Sequence, residues 1–183
     1  MTTGDLKVAS VKTDTIKNQA GTTAMTISSD GFVSNGKRLG FYATRDTNQS
    51  IPNGTWTVIQ FDNVGVNDQS GFTTGSDAKF VVPAGAAGLY HIHGHIRFES
   101  SSDFPMGLAL YWRVSGGSSS QIANAYDDST YYTGLDCQTL RVLAVGDELQ
   151  LRAYQGSGGA VNLGSNDGVS GNSVVRFLGY RIS

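Results

Sequence analysis

The sequence contains little of several residue types, and each shortage excludes a class of protein. A single cysteine, Cys137, in 183 residues excludes an intrachain disulfide framework and is predicted to be a small buried apolar side chain. Charged residues make up only 15% of the chain, the net charge is −2, and Lys and Arg do not cluster, so no nucleic acid partner is expected. No apolar run approaches membrane-spanning length, and the opening MTTGDLKV has no apolar signal core. We therefore expect neither membrane insertion nor export by a cleaved signal.

Helical periodicity is also missing, whereas glycine is abundant at 24 residues. Short apolar runs separated by Gly-, Ser- and Asn-rich turns predict about eight strands and an antiparallel sandwich or jelly roll. The Gly146-Asp147 pair is typical of a two-residue hairpin turn with positive φ. The predicted strands are 39–44, 55–63, 89–98, 107–114, 121–125, 137–145, 148–154 and 174–182, and a short apolar run at 80–82 precedes the third of them.

One predicted strand, 89–98, alternates strictly between two faces, and the rest of the core is expected to pack on its apolar side. The apolar face contains Tyr90, Ile92, Gly94, Ile96 and Phe98. The polar face contains His91, His93, His95 and Arg97, which include every histidine of the chain.

Residues 1–36 differ from residues 37–183, which we predict to be a separate head domain. Their few apolar side chains are scattered among Thr, Lys, Asn and Asp, and two or three short strands are expected, within 7–16 and 23–27. A segment with so little apolar surface must lie on a neighbour, intertwine with copies of itself, or remain unfolded. We predict a β-rich stem that attaches the head to other proteins.

Four motifs, in the right order, resemble the C1q-like globular domain. They are 58–64 (VIQFDNV) followed by Asn67, 80–83 (FVVP) followed by Gly88-Leu89-Tyr90, 140–151 (LRVLAVGDELQL), and 177–180 (FLGY). The chain departs from that family at His91, His93 and Gly94, and a collagen stalk is not present. Residues 13–33 (TDTIKNQAGTTAMTISSDGFV) are instead similar to strand units upstream of heads in bacteriophage fibres.

The resemblance implies a ten-stranded C1q/TNF-like jelly roll assembled as a tight homotrimer. In such an assembly one sheet packs against sister subunits, so the histidine side of residues 89–97 would face a partner or the threefold axis. Three stems could then wind together and bury the apolar side chains that a single stem leaves exposed.

The three histidines are candidate ligands for a divalent transition metal. They lie about 7 Å apart at successive positions on one strand face, and three copies around an axis would bring nine imidazoles together. The alternative is a set of interface residues bonded to polar neighbours, whose protonation near pH 6 would loosen a trimer. Spacing alone does not decide between them.

Two further sets of residues are binding candidates in the loops. Asp127, Asp128 and Asp136 could supply carboxylates to Ca²⁺, which C1q-like domains often hold near the trimer apex; the alternative is a solvated acidic loop. Tyr126, Tyr131 and Tyr132 could stack on a host glycan or protein surface. Trp112 is expected in the core, because it shares a strand face with Leu110 and Val114. No cofactor is otherwise indicated.

Catalysis is not expected. The only glutamates are Glu99 and Glu148, and neither a nucleophile elbow nor a phosphate-binding loop is present. We predict a virion structural protein, assembled in the host cytoplasm: the trimeric head of a phage capsid or tail fibre. It would join other virion proteins through residues 1–36 and contact the host surface through the head. The alternatives are a capsid cement protein and a cellular C1q/TNF-like adhesion module.

Overall fold

The computed structural model describes residues 15–17, 19–21, 23–31, 33–35, 39–99, 103–128, 134–164 and 174–182. These residues are almost entirely strands and turns, and their only helical segment is a 3-10 turn at Asp68–Ser70. None of them forms a helix that is long and apolar enough to cross a bilayer. The strands are β1 Thr15–Lys17, β2 Thr23–Ile27, β3 Val33–Asn35, β4 Gly40–Thr44, β5 Gln49–Ile51, β6 Thr57–Val58, β7 Asn63–Asn67, β8 Phe72–Thr73, β9 Lys79–Val81, β10 Gly88–Arg97, β11 Met106–Arg113, β12 Ser119–Asp127, β13 Gly134–Leu143, β14 Glu148–Gln155, β15 Val161–Leu163 and β16 Arg176–Arg181.

The chain divides into two compact units, Met1–Arg38 and Leu39–Ser183. In the first unit, β1, β2 and β3 form a small antiparallel sheet in that order. Ile16 in β1 is about half exposed, and none of the side chains that the structure describes in this unit belongs to the buried core. Three short strands with one open face are marginal in water without a covering surface.

The second unit, which we call the head, is a sandwich of two antiparallel sheets. The five-stranded sheet has the order β13-β10-β16-β4-β7, and the six-stranded sheet has the order β12-β11-β14-β9-β8, with β6 also paired to β14. One apolar cluster fills the space between them, with stacked phenylalanines at its centre. Strands β5 and β15 form a separate pair.

Strand β10 lies between β13 and β16 and presents its apolar side to the core, as the alternation predicts. At Gly94 a side chain of the opposite sheet packs directly against the backbone of β10. A Cβ there would lie 2.4 Å from Leu151 Cδ1 on β14, so only glycine leaves room for that leucine.

The two ends of the head carry different connections. At the terminal end, the Arg181 amide donates to the Leu39 carbonyl at 2.7 Å and the Ile182 amide donates to the Leu89 carbonyl at 2.7 Å. The register places the start of β10 beside the end of β13 there, whereas Arg97 pairs with Gly134 at the opposite end. That opposite end, where β10 and β12 finish and where β11, β13 and β16 begin, is called the loop end.

Several predicted strand boundaries are wrong. The predicted strand 55–63 is mostly irregular, because only Thr57–Val58 pairs with β14, and Trp56 is not a core residue. The segments between predicted strands also contain strands: β5, β8, β15 and all of β7 except its first residue lie in them. The turn at Gly146 does have a positive φ of +85°, but it belongs to a four-residue connection between β13 and β14.

Candidate functional site

The polar side of β10 lies on the outer surface of the five-stranded sheet. The three histidines of β10 point away from the core, because they alternate along the strand with residues whose side chains are buried in it. The register brings three residues of β13, Leu140, Gln138 and Asp136, opposite the three histidines in turn. We call this surface, made by the outward residues of β13, β10 and β16, the histidine face.

Two of the histidines share one carboxylate. His93 Nε2 and His95 Nδ1 each donate to Asp136 Oδ1 at 2.9 Å. The two rings are largely covered, whereas Asp136 remains more than half exposed. Burial raises the pKa of Asp136, but the hydrogen bonds from His95 and His93 outweigh it and hold that pKa below its usual value. The ring positions are therefore fixed by a polar network within one chain.

His91 is held differently from the other two histidines. Its Nε2 donates to Gln138 Oε1 at 3.2 Å, and its ring lies 5.2 Å from the ring of Tyr180 on β16. The central row of the face is thus a set of imidazoles that are already oriented by their neighbours.

Apolar side chains surround this row and remain uncovered. Val142 is 73% exposed and Leu140 is 59% exposed on β13, and Tyr180 is 51% exposed on β16. Val66 on the edge strand β7 is also exposed. Large apolar residues grouped on one sheet surface, around partly covered polar ones, are typical of a surface that packs against another protein.

The metal candidates remain predictions about an assembly. Within the part of the chain that the structure describes, no three or more His, Cys, Asp or Glu side chains are gathered to hold a metal ion. A site built from His91, His93 and His95 would therefore need residues from several copies. Asp127 ends β12 and Asp128 follows it, whereas Asp136 lies on β13 and is bonded to two histidines. The calcium prediction also stays open.

Of the aromatic candidates, Tyr126 is 60% exposed on β12, whereas Tyr131 and Tyr132 lie outside the described residues. The ring of Tyr126 lies 5.9 Å from Trp56, edge to face. Trp112 packs against the core as predicted, and its Nε1 donates to Asp147 at 2.9 Å.

Sequence reasoning missed the role of Trp56. Its indole lies on the outer face of the six-stranded sheet, where it also contacts Tyr111 and Tyr154. The signal that could have identified it is the polar sequence around it, because 52–55 (PNGT) precedes Trp56 and a threonine follows it. In the structure residues 52–55 are exposed, and the first buried residue after them is Ile59.

Comparisons with known proteins identify the fold. No family model matches the sequence, and no curated protein matches it. The globular domain of zebrafish complement 1qA matches with 13% identity and a TM-score of 0.54, over 79% of this chain and 98% of that one. Murine APRIL, a TNF-family protein, was solved at pH 8.0 and at pH 5.0, and the two structures match with 12% and 11% identity and TM-scores of 0.57 and 0.58, over 80% of this chain and 100% of each solved chain. The head therefore has the jelly-roll fold of C1q and TNF-family heads, which confirms the predicted fold class; the fibre-stem resemblance of residues 13–33 stays a prediction.

Proposed function

We propose that this protein is a non-enzymatic binding module of the C1q/TNF-like type that works as a homotrimer. The observation that carries the proposal is the histidine face, on which exposed Leu140, Val142 and Tyr180 surround an ordered polar row. A single copy leaves this apolar surface in contact with water. Packing against sister subunits removes this apolar surface from water, which is favourable through the hydrophobic effect.

The fold supports this choice of surface. Neither face of the five-stranded sheet is fully exposed. One face packs on the core, and the other carries a row of half-buried residues on β10. A sheet whose outer face is neither fully polar nor fully apolar suits a protein–protein interface better than a solvent surface.

The loop end is the part of the head that we assign to ligand contact. The loop end lies opposite the terminal end, where Leu39 and Ile182 are hydrogen-bonded to the rest of the head. Loops carried on a rigid sheet scaffold are where binding residues are most often found. Tyr126, whose strand finishes at this end, is the exposed aromatic candidate there.

Sedimentation of the full chain tests the association. At micromolar concentration we expect a single species with the mass of three 19.4-kDa chains. A well-folded single chain under these conditions would contradict the proposal. Binding of the fluorescently labelled protein to whole cells then tests the adhesive role, because three identical heads bind a surface with higher avidity than one.

A virion fibre head is the second candidate, and the N-terminal unit is the observation that favours it. Strands β1–β3 form a three-stranded sheet, and none of its described side chains lies in the buried core, as expected of a stem that is completed by other copies. The solved heads with this fold, from zebrafish complement and murine APRIL, favour the cellular module instead.

Deletion of residues 1–36 separates the readings. A fibre head or a capsid cement protein would lose its incorporation into particles while the head stayed a folded trimer. An autonomous cellular ligand would keep its binding to cells after the same deletion. Immunolabelling of particles in the electron microscope provides the readout for the virion location.

A further inference from the structure

The outer face of the six-stranded sheet, on the other side of the sandwich from the histidine face, carries a groove. It has a volume of about 380 Å³ and lies between β14 and the hairpin that joins β11 to β12. Its lining includes Tyr111, Arg113, Ser119, Gln150 and Arg152. This volume is at the small end of the range for small-molecule sites, and the lining is mostly polar.

An ion-pair network forms one side of the groove. Glu148 pairs with Arg113 and, at 3.4 Å, with Lys79. Lys79 also pairs with Asp77 at 2.8 Å, and Gln150 donates to Asp77 at 2.9 Å. Two cations and two carboxylates compensate one another here, so this side presents fixed donors and acceptors without net charge.

Arg152 is the surplus cation. Its guanidinium lies 4.2 Å over the Tyr111 ring and donates to Gln150 Oε1 at 2.8 Å. Its Nε is buried and makes no hydrogen bond, and no carboxylate of the described residues pairs with it. Stacking fixes the plane of this guanidinium, which leaves an oriented donor group for an anion from outside the chain.

Aromatic side chains continue the surface beyond Tyr111. Trp56 lies over Gly107 of β11, where a Cβ would come within 2.9 Å of the indole, so glycine is required for the ring to rest on the sheet. The indole is 6.2 Å from Tyr111, 5.5 Å from Tyr154 and 5.9 Å from Tyr126, measured between ring centroids. An aromatic wall thus borders a polar groove with one uncompensated cation.

We propose that this groove binds a carboxylate-bearing sugar, such as a uronic or sialic acid residue. The sugar carboxylate pairs with Arg152, and its hydroxyls bond to Gln150, Ser119 and the Glu148 network. Its apolar ring face packs on the aromatic wall, because a pyranose has one side of C–H groups that suits an aromatic surface. A neutral sugar would leave Arg152 uncompensated, which sets the expected preference for the acid.

Ligand-observed saturation-transfer NMR of the full-length protein tests the proposal, with sodium glucuronate and glucose as the probes. The two sugars share the same ring and differ in the carboxylate. We expect glucuronate to bind at least about tenfold more tightly than glucose, the minimum expected from one charge-assisted hydrogen-bonded contact. Equal binding of the two sugars, or no transfer to glucuronate, would overturn the proposal. So would inorganic phosphate displacing glucuronate at equal concentration, because the groove would then be a simple anion site.

Two variants locate the site on the sheet. Arg152→Gln removes the surplus charge and should weaken glucuronate binding at least about tenfold, with little change for glucose. Lys17→Gln also removes one positive charge, on the exposed strand β1 and outside the groove lining, and should leave binding unchanged. Equal losses in the two variants would contradict the assignment. Sedimentation of the same samples reports the assembly state, so a failure of sugar binding is distinguished from a failure of trimerisation.

Discussion

Replacing Leu140 and Val142 together by aspartate is the sharpest perturbation of the histidine face. Both residues lie on β13 and point away from the core, so the fold of a single head does not depend on them. If the face is the interface between copies, two carboxylates would enter a region that the assembly covers. We expect the double variant L140D/V142D to remain folded and to sediment as a single chain.

The size of the effect follows from the exposed fractions. Burying a whole Val or Leu side chain stabilises by about 1.5–3 kcal/mol. With 73% of Val142 and 59% of Leu140 exposed in one copy, covering both contributes about 2–4 kcal/mol per chain. Three chains give roughly 6–12 kcal/mol, and the lower figure already changes the association equilibrium by about four orders of magnitude. Burial of unpaired carboxylates adds to the loss.

Analytical ultracentrifugation measures the association state of the double variant, and circular dichroism measures whether it remains folded. The matched control is Val114→Asp, a substitution at a residue that is 43% exposed on the β11–β12 hairpin of the other sheet. The control should sediment as the wild-type protein does. If L140D/V142D also retains the trimer mass, or if V114D loses it equally, the histidine face is not the interface and the reasoning from exposed apolar surface fails.

Three further predictions concern the head itself. In urea unfolding, Gly94→Ala should cost about 1–3 kcal/mol, because its Cβ would meet Leu151 Cδ1 at 2.4 Å. Leu151→Ala should cost about 2–5 kcal/mol. The double variant should lose at least about 1 kcal/mol less than the sum, and strict additivity would show that the two sites do not touch. Burial raises the pKa of Cys137 to about 12, so a thiol reagent at pH 8 should label it only after denaturation; rapid native labelling would contradict its burial. The hydrogen bonds from two histidines keep the folded pKa of Asp136 below its unfolded value near 3.9, so its stabilisation is present above that value and disappears as the pH falls through the folded one. The difference in unfolding free energy between wild type and Asp136→Asn should therefore shrink as the pH falls below about pH 4; a difference that grows over that range would contradict the sign.

The part of the fold that the sequence predicts best is the part with strict alternation. Strand β10 and its closing neighbour β16 were both expected from runs of apolar residues, and both lie in the centre of the five-stranded sheet. The core position of Trp112 followed from the same pattern, whereas the burial of Cys137 was expected because a lone cysteine behaves as a small apolar side chain. A two-residue period is reliable where one face of a strand packs on a core and the other does not.

The short strands could not be predicted because their pairing depends on distant partners. Strand β5 forms through β15, more than a hundred residues away, and neither segment alternates strongly by itself. Trp56 lies on the outer face of the six-stranded sheet, in a space created by Gly107 on a strand remote in sequence. The shared bonding of Asp136 to two histidines likewise depends on the register between β10 and β13, which no local pattern specifies.

The two candidate surfaces lie on opposite sheets of the same sandwich, and this arrangement has a consequence for binding strength. Association through the histidine face leaves the groove around Arg152 on the outside of each head, so one assembly carries three copies of it. A site for one or two sugar units is weak by itself, and three linked sites can raise the avidity for a sugar-coated surface by about 10²–10⁴ without any new contact. The single-chain variant L140D/V142D should therefore bind free glucuronate as the wild type does and yet lose attachment to an immobilised polyuronic acid. Attachment that survived the loss of the trimer would mean that avidity plays no part, and the link between assembly and recognition would then have to be abandoned.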